Sequence, residues 1–189
     1  MIFFDVTKSA GSGQKSGLMR VSARLAEELG AAVTPVRWTT WDRRMKATDW
    51  FLTAELFAED ERPGLTDFLA KGVGRKAAIF HDAIPLKHPH ITWPQSVARH
   101  PAYLKLLASF DRVWAVSAAS RAELVGFWQW QGDEKTPPVE VLSLGADFNR
   151  APRALRKDGG ARRPSLLSVG ILEPRKNQML LLDAAEALW

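Results

Sequence analysis

SLLSVGILEPRKN, Ser165–Asn177, is the stretch on which the reading of this chain turns. Leu166, Leu167 and Val169 form a short apolar run closed by Gly170, the pattern of a buried strand. Pro174 bends the chain, Arg175, Lys176 and Asn177 follow, and MLLLDAAEAL (Met179–Leu188) is an apolar, helix-favouring run. Two cations therefore stand where a strand passes into a helix N-terminus, an end that carries free N–H groups and the positive end of the helix dipole. Such a turn accepts negative charge, and a diphosphate is the natural candidate. A solvated charged turn after a βα strand is the plain alternative.

Upstream, short apolar runs alternate with helical patterns. Ile2–Val6, Ala32–Val36, Lys76–Phe80, Asp111–Ser117 and Pro138–Leu142 read as strands. Leu18, Val21, Leu25 and Leu29 are spaced for one helix face and end at Gly30. Pro101 suits the first turn of a helix over Ala102–Phe110, and Ser120 with Glu123 reads as a capping box opening another. Alternating strands and helices predict an α/β fold with a parallel sheet.

Composition narrows the function classes. At 189 residues, 46% apolar and 25% charged, the chain suits one good core and an ordinary globular protein. The absence of cysteine excludes disulfides, thiolate chemistry and Cys-ligated zinc. MIFFDVT carries Asp5 inside its apolar run and is no signal peptide, and no stretch approaches the ~20 apolar residues of a membrane span. The expected location is cytoplasmic. The net charge of +5 lies between Asn149 and Pro164, where Arg150, Arg153, Arg156, Lys157, Arg162 and Arg163 face one acid, Asp158. A basic cluster confined to a Gly/Pro-bearing linker reads as a connector, with no nucleic-acid partner expected. Peripheral contact with an anionic membrane surface is a second use of it.

Two nucleotide motifs are tested by the glycine-rich loop Ser9–Gly17. The P-loop fails, since Gln14 separates Gly13 from Lys15 and the first glycine is missing. The dinucleotide pattern Gly11-x-Gly13-x-x-x-Gly17 starts late after its strand, and some twenty residues on the chain offers Arg37 and Trp38, no acid. An NADP reading with Arg37 on the 2′-phosphate is left as a weak alternative. Trp38, Trp41 and Trp50, interleaved with Arg43, Arg44 and Lys46, read either as an interfacial patch or as packing of outer helices. AEDER, Ala58–Arg62, reads as an exposed loop. His88, His90 and His100 have no ligand spacing, so no metal is expected.

Four segments, taken in order, resemble glycosyltransferase family 4, the retaining enzymes of GT-B architecture. They are DVT with SGLMRV (Asp5–Thr7, Ser16–Val21), HDAIPLKHP (His81–Pro89), DRVWAVS running into Ser120 and Glu123, and VGILEPRKN (Val169–Asn177). LGAD (Leu144–Asp147) is similar to the family's exit into its interdomain linker. Leu18 stands where the family has Ile, and Ala83 where it has Leu or Val. The resemblance implies a Rossmann-like acceptor-side domain over 1–148, a basic linker over 149–164, and the first β-α unit of a nucleotide-sugar domain over 165–189. It implies that Arg175 and Lys176 hold the donor diphosphate, with Glu173 and Asn177 beside them. By the same likeness His81 faces the interdomain cleft and contacts the transferred sugar, while Asp82 holds the loop or orients His81. Ser117 lies at a strand end near the cleft, and Gly17 lets the backbone approach a ligand closely.

The implied reaction moves a hexose from a nucleotide diphosphate sugar to a hydroxyl of a glycan or lipid-linked acceptor, with no cofactor and no metal. The family's E-x7-E pair falls beyond Trp189, so the 189 residues alone are expected to turn over weakly or not at all. A non-catalytic glycan- or partner-binding module is the competing class.

Overall fold

The computed structural model describes residues 1–11, 16–145 and 165–188. Its frame is a six-stranded, wholly parallel sheet. In chain order the strands are β1 (Ile2–Asp5), β2 (Val33–Val36), β3 (Trp50–Thr53), β4 (Arg75–Phe80), β5 (Arg112–Ala115) and β6 (Val139–Val141). The helices are α1 (Gly17–Leu29), α2 (Leu65–Lys71), α3 (Ile84–Lys87), α4 (Pro94–Leu107), α5 (Ala118–Gln131) and α6 (Gln178–Leu188). The sheet order is β2-β1-β3-β4-β5-β6, so the winding reverses between β1 and β3. The α/β class expected from the alternating pattern is the one observed.

Both faces of the sheet are covered, which is why β4 reads as a continuous apolar run. On one face Phe51, Ala78, Phe80, Val113 and Ala115 meet Leu65, Phe68 and Leu69 of α2, Tyr103, Leu104 and Leu107 of α4, and Leu124 and Trp128 of α5. On the other, Phe4, Ala54 and Ile79 pack against Leu25 and Ala26 of α1. Ala78 and Phe80 point one way and Ile79 the other, the two-residue period of a strand.

Of the two readings of the tryptophans near residue 40, packing is the one observed: Trp38 is buried, Trp41 stacks on Phe51 at 5.5 Å, and Trp38 meets Phe68 edge-on at 5.3 Å. Other local expectations are corrected. The end of that segment is itself a central strand, β3, which the Arg/Trp interleaving concealed. Gly74, at φ +83°, admits this packing, because a Cβ there would stand 2.7 Å from Met45 Cε and 3.0 Å from the Asp49 carbonyl. Helix α4 begins at Pro94, with Pro101 inside it; burial of His100, Tyr103, Leu104 and Leu107 outweighs the lost Pro101 N–H. Helix α5 is capped by Ser117, whose Oγ accepts from Ser120 N, and Ser120 sits buried inside the first turn.

The expected strand over Leu166–Val169 is absent: the segment pairs with no strand among the described residues, and Leu167 and Val169 are 88% and 85% exposed. An apolar run becomes a strand only when a neighbour takes its N–H and C=O groups. The basic linker 149–164 lies outside the described residues.

The AEDER segment is also not simply a loop. Its last residue, Arg62, is 0% exposed. Nε and Nη2 of Arg62 donate to Asp5 Oδ2 at 3.1 and 2.8 Å, and Nη2 donates to Glu55 Oε2 at 2.7 Å. The guanidinium thereby ties the ends of β1 and β3. Removing it leaves two carboxylates buried and uncompensated, a loss of the order of 3–5 kcal/mol. Arg62→Met is accordingly expected to lower unfolding stability by about that amount in urea denaturation; a loss within ~0.5 kcal/mol, as for an exposed site, would remove Arg62 from this role.

Candidate functional site

In an open parallel sheet, ligands collect outside the carboxyl ends of the strands where the winding reverses. Here a cleft at those strand ends is bordered by the segments after β1, β3 and β4 and by the start of α4. Its volume is about 440 Å³, within the ~300–1,000 Å³ of small-ligand sites. Lys8 reaches it from β1, Leu56–Ala58 and Glu61 from β3, and Asp82, Ile84 and Pro85 from β4. The start of α4 supplies Trp93, Gln95, Ser96 and Arg99, with His100 and Tyr103 behind, and Glu173 and Arg175 complete the lining.

Outside the cleft lining, the ends of β1 and β3 are organised by buried carboxylates. Glu55, fully buried, accepts Lys8 N at 2.8 Å and Ser9 N at 2.7 Å. Asp5 accepts Thr7 N at 3.1 Å and the Thr53 hydroxyl at 2.9 Å. The first N–H groups of the glycine-rich loop are therefore occupied by an internal anion. The dinucleotide reading cannot draw on these two groups. Arg37, its proposed partner for a 2′-phosphate, donates to Ala10 O at 3.3 Å.

The turn after β4 is held from three sides. His81 Nε2–H donates to Ala54 O at 2.9 Å, and the Ser120 hydroxyl donates to His81 O at 2.6 Å. Glu123 accepts Ala83 N at 3.2 Å and Lys87 Nζ at 2.9 Å. Asp82 Oδ1 accepts Ile84 N at 3.0 Å, and His100 Nε2–H donates to Asp82 O at 3.1 Å. Burial holds both His81 and His100 below the usual histidine pKa, opposed by their carbonyl partners and by Asp82. Both rings are thus neutral at pH 7.

Charges along the cleft are matched. Lys8 Nζ pairs with Glu61 at 2.7 Å, Arg99 with Glu61 at 3.3 Å and with Asp60, and Arg175 with Glu173 at 2.7 Å. Pro174–Lys176 form a short 3-10 turn, Asn177 follows at φ 51°, and α6 starts at Gln178.

Of the residues singled out in the sequence, the cleft gathers Asp82, Glu173 and Arg175. His81 sits behind Asp82 with Nε2 engaged, and Ser117 is the cap of α5. Gly17 opens α1, and a Cβ there would meet no protein atom within 4 Å. Lys176 and Asn177 lie in the turn beyond the cleft lining. Sequence reasoning missed Arg62, Glu55, Trp93 and Tyr103. Trp93-Pro94 carried one usable signal, since proline at a first helical position marks where α4 starts and so which residue stands at its mouth. Among the described residues no group of His, Asp and Glu is arranged to hold a metal ion, and no helix is long and apolar enough to cross a membrane.

Over its whole length the chain is 27% identical, in an alignment of 232 residues, to the serotype-specific mannosyltransferase WbdA of Escherichia coli. Two further sequences of that name and organism match at the same identity. The chain spans only 28% of the length of these relatives. No family model and no solved structure matches it.

The histidine shifts fix a sign for pH dependence. A base whose folded pKa is depressed is protonated more readily in the unfolded chain, so its stability contribution is present above the ordinary value of 6.5 and is lost as pH falls toward the folded one. The urea midpoint is expected to fall between about pH 7.5 and pH 5.5, and His100→Gln to flatten that fall. A midpoint that rises on acidification would contradict this assignment.

Proposed function

We propose that this chain is the acceptor-side part of a retaining glycosyltransferase of GT-B type, which moves a hexose from a nucleotide diphosphate sugar to an acceptor hydroxyl. The observation that carries the reading is the cleft at the strand ends, where Asp82 of the H-D segment and Arg175 of the E-P-R-K-N turn share one lining. The likeness to a mannosyltransferase along the whole chain supports it and makes mannose the first sugar to try. The acceptor is a glycan or a lipid-linked saccharide.

In the proposed step the acceptor oxygen bonds to the anomeric carbon as the bond from that carbon to the diphosphate oxygen breaks. The bonding electrons leave on the diphosphate, and the acceptor hydroxyl's proton passes to the departing phosphate oxygen on the same face, so the configuration is retained. The protein's part is electrostatic. Arg175, oriented by Glu173, and Lys176 meet charge that develops on the leaving group, beside the N-terminus of α6. The neutral His81 ring, held at Nε2–H by Ala54 O while the Ser120 hydroxyl holds the His81 backbone carbonyl, lies next to Asp82 at the strand end where the transferred sugar would sit.

Isothermal titration with GDP-mannose and with a UDP-hexose tests this. Arg175→Ala and Lys176→Ala are each expected to weaken binding roughly 10-fold or more, the scale of a charge-assisted hydrogen bond to phosphate. Nucleotide-sugar binding that is absent, or unchanged in both variants, would overturn the reading. Saccharide binding without nucleotide-sugar binding would instead favour a glycan-binding module.

A further inference from the structure

Around Lys8 and Arg99 the cleft has a chemical character that a phosphate site would not need. Both cations already face carboxylates, Lys8 that of Glu61 and Arg99 those of Glu61 and Asp60. The His100 ring behind them is neutral. An anion entering beside them would displace an existing ion pair, whereas a neutral ligand with many hydroxyls displaces none.

Two aromatic residues lining the same cleft are unusual for opposite reasons. Trp93 is 78% exposed although it stands directly before α4, and only its backbone serves the fold: its carbonyl accepts Ser96 N at 2.9 Å and Val97 N at 3.1 Å. A large flat apolar ring is left facing solvent at the cleft. Tyr103 is the reverse case: it is 4% exposed, yet its hydroxyl has no hydrogen-bond partner among the described residues. Its ring is clamped edge-on by Phe57 at 4.9 Å and lies 5.5 Å from the His100 ring. An unpaired buried hydroxyl costs about 1–3 kcal/mol of desolvation unless something bonds to it. Burial and the nearby Asp82 charge keep the phenol protonated, so the group stays able to donate.

We propose that Trp93 and Tyr103 form a neutral-sugar subsite, in which a saccharide ring lies on the Trp93 indole and a sugar hydroxyl pairs with Tyr103 Oη. Gln95 and Ser96 also line the cleft, and their amide and hydroxyl groups can each donate to and accept from sugar hydroxyls. The assignment rests on the glycosyltransferase reading and deepens it: this subsite holds the acceptor saccharide, and the diphosphate stays with Arg175 and Lys176. Trp93 and Tyr103 are positioning residues, since neither is required to act on a reacting atom.

The test is saturation-transfer NMR and intrinsic fluorescence titration of the whole chain with an α-linked mannobiose, competed by inorganic pyrophosphate and by glucuronate. Mannobiose is expected to bind, Trp93→Ala to weaken it about tenfold, equivalent to ~1.4 kcal/mol, and Trp93→Phe to recover part of the loss. Tyr103→Phe is expected to weaken binding several-fold while the melting temperature stays level or rises, because the change deletes only an unpaired hydroxyl. A structural role for Tyr103 would lower the melting temperature instead. Mannobiose affinity within twofold of wild type in both Trp93→Ala and Tyr103→Phe overturns the subsite, as does displacement of mannobiose by pyrophosphate. If mannobiose does not bind but nucleotide-sugar binding still depends on Arg175 and Lys176, the subsite falls and the glycosyltransferase reading stands. If mannobiose binds through Trp93 and Tyr103 and no nucleotide-sugar binds, the subsite stands and that reading falls.

Discussion

The guanidinium of Arg62 joins the two strands between which the sheet reverses its winding, and the position of the cleft depends on it. Asp5 ends β1 and Glu55 follows β3, and without a shared cation their buried carboxylates would repel across the strand ends. With Arg62 between them they become acceptors for the loops above. Asp5 fixes Thr7, and Glu55 fixes Lys8 and Ser9. One buried cation thus determines how the chain leaves two neighbouring strands, and so where an opening can exist.

A second set of contacts carries that order across the sheet to β4. His81 donates to Ala54, the residue just before Glu55, while Ser120 and Glu123 of α5 hold the same turn from the other side. The turn bearing Asp82 is therefore stationary relative to the Arg62 cluster. Polar side chains at the strand ends do here what apolar packing does in the middle of the sheet: each buried N–H or C=O finds a partner that also constrains its neighbour. The cleft wall from Glu61 to Arg99 is of another kind, half-exposed ion pairs that solvent weakens. Arg62 and Glu55 belong to the stable part of the site, and the Glu61–Arg99 contact to the adjustable part.

Much of the frame was legible because its signals are local. β4 is an apolar run whatever covers it, and Gly30 stops α1 as its position suggests. Three features were not legible, each for a physical reason. β3 was hidden because Trp50–Thr53 is four residues long and follows a segment rich in Trp and Arg, whose rings turned out to pack inward. Leu166–Val169 read as a strand because it is apolar, yet strand formation is a relation between two segments and no partner is paired to it. Ser117 and Ser120 exchanged roles because a cap is decided by backbone geometry, and Ser117 has the extended φ of −158° that lets its side chain reach Ser120 N.

The sequence by itself determined the α/β class, the place of most strands and the charged turn at Pro174–Asn177, because periodicity and turn chemistry act over a few residues. It also placed Asp82 at a strand end, the position where a parallel sheet receives ligands. Only the tertiary structure decided that Arg62 is buried with Asp5 and Glu55, from 57 and 7 residues away, and that Trp93 and Tyr103 line one cleft. Those facts depend on which distant segments meet, and the burial of a charge or the orphaning of a hydroxyl exists only once they have met.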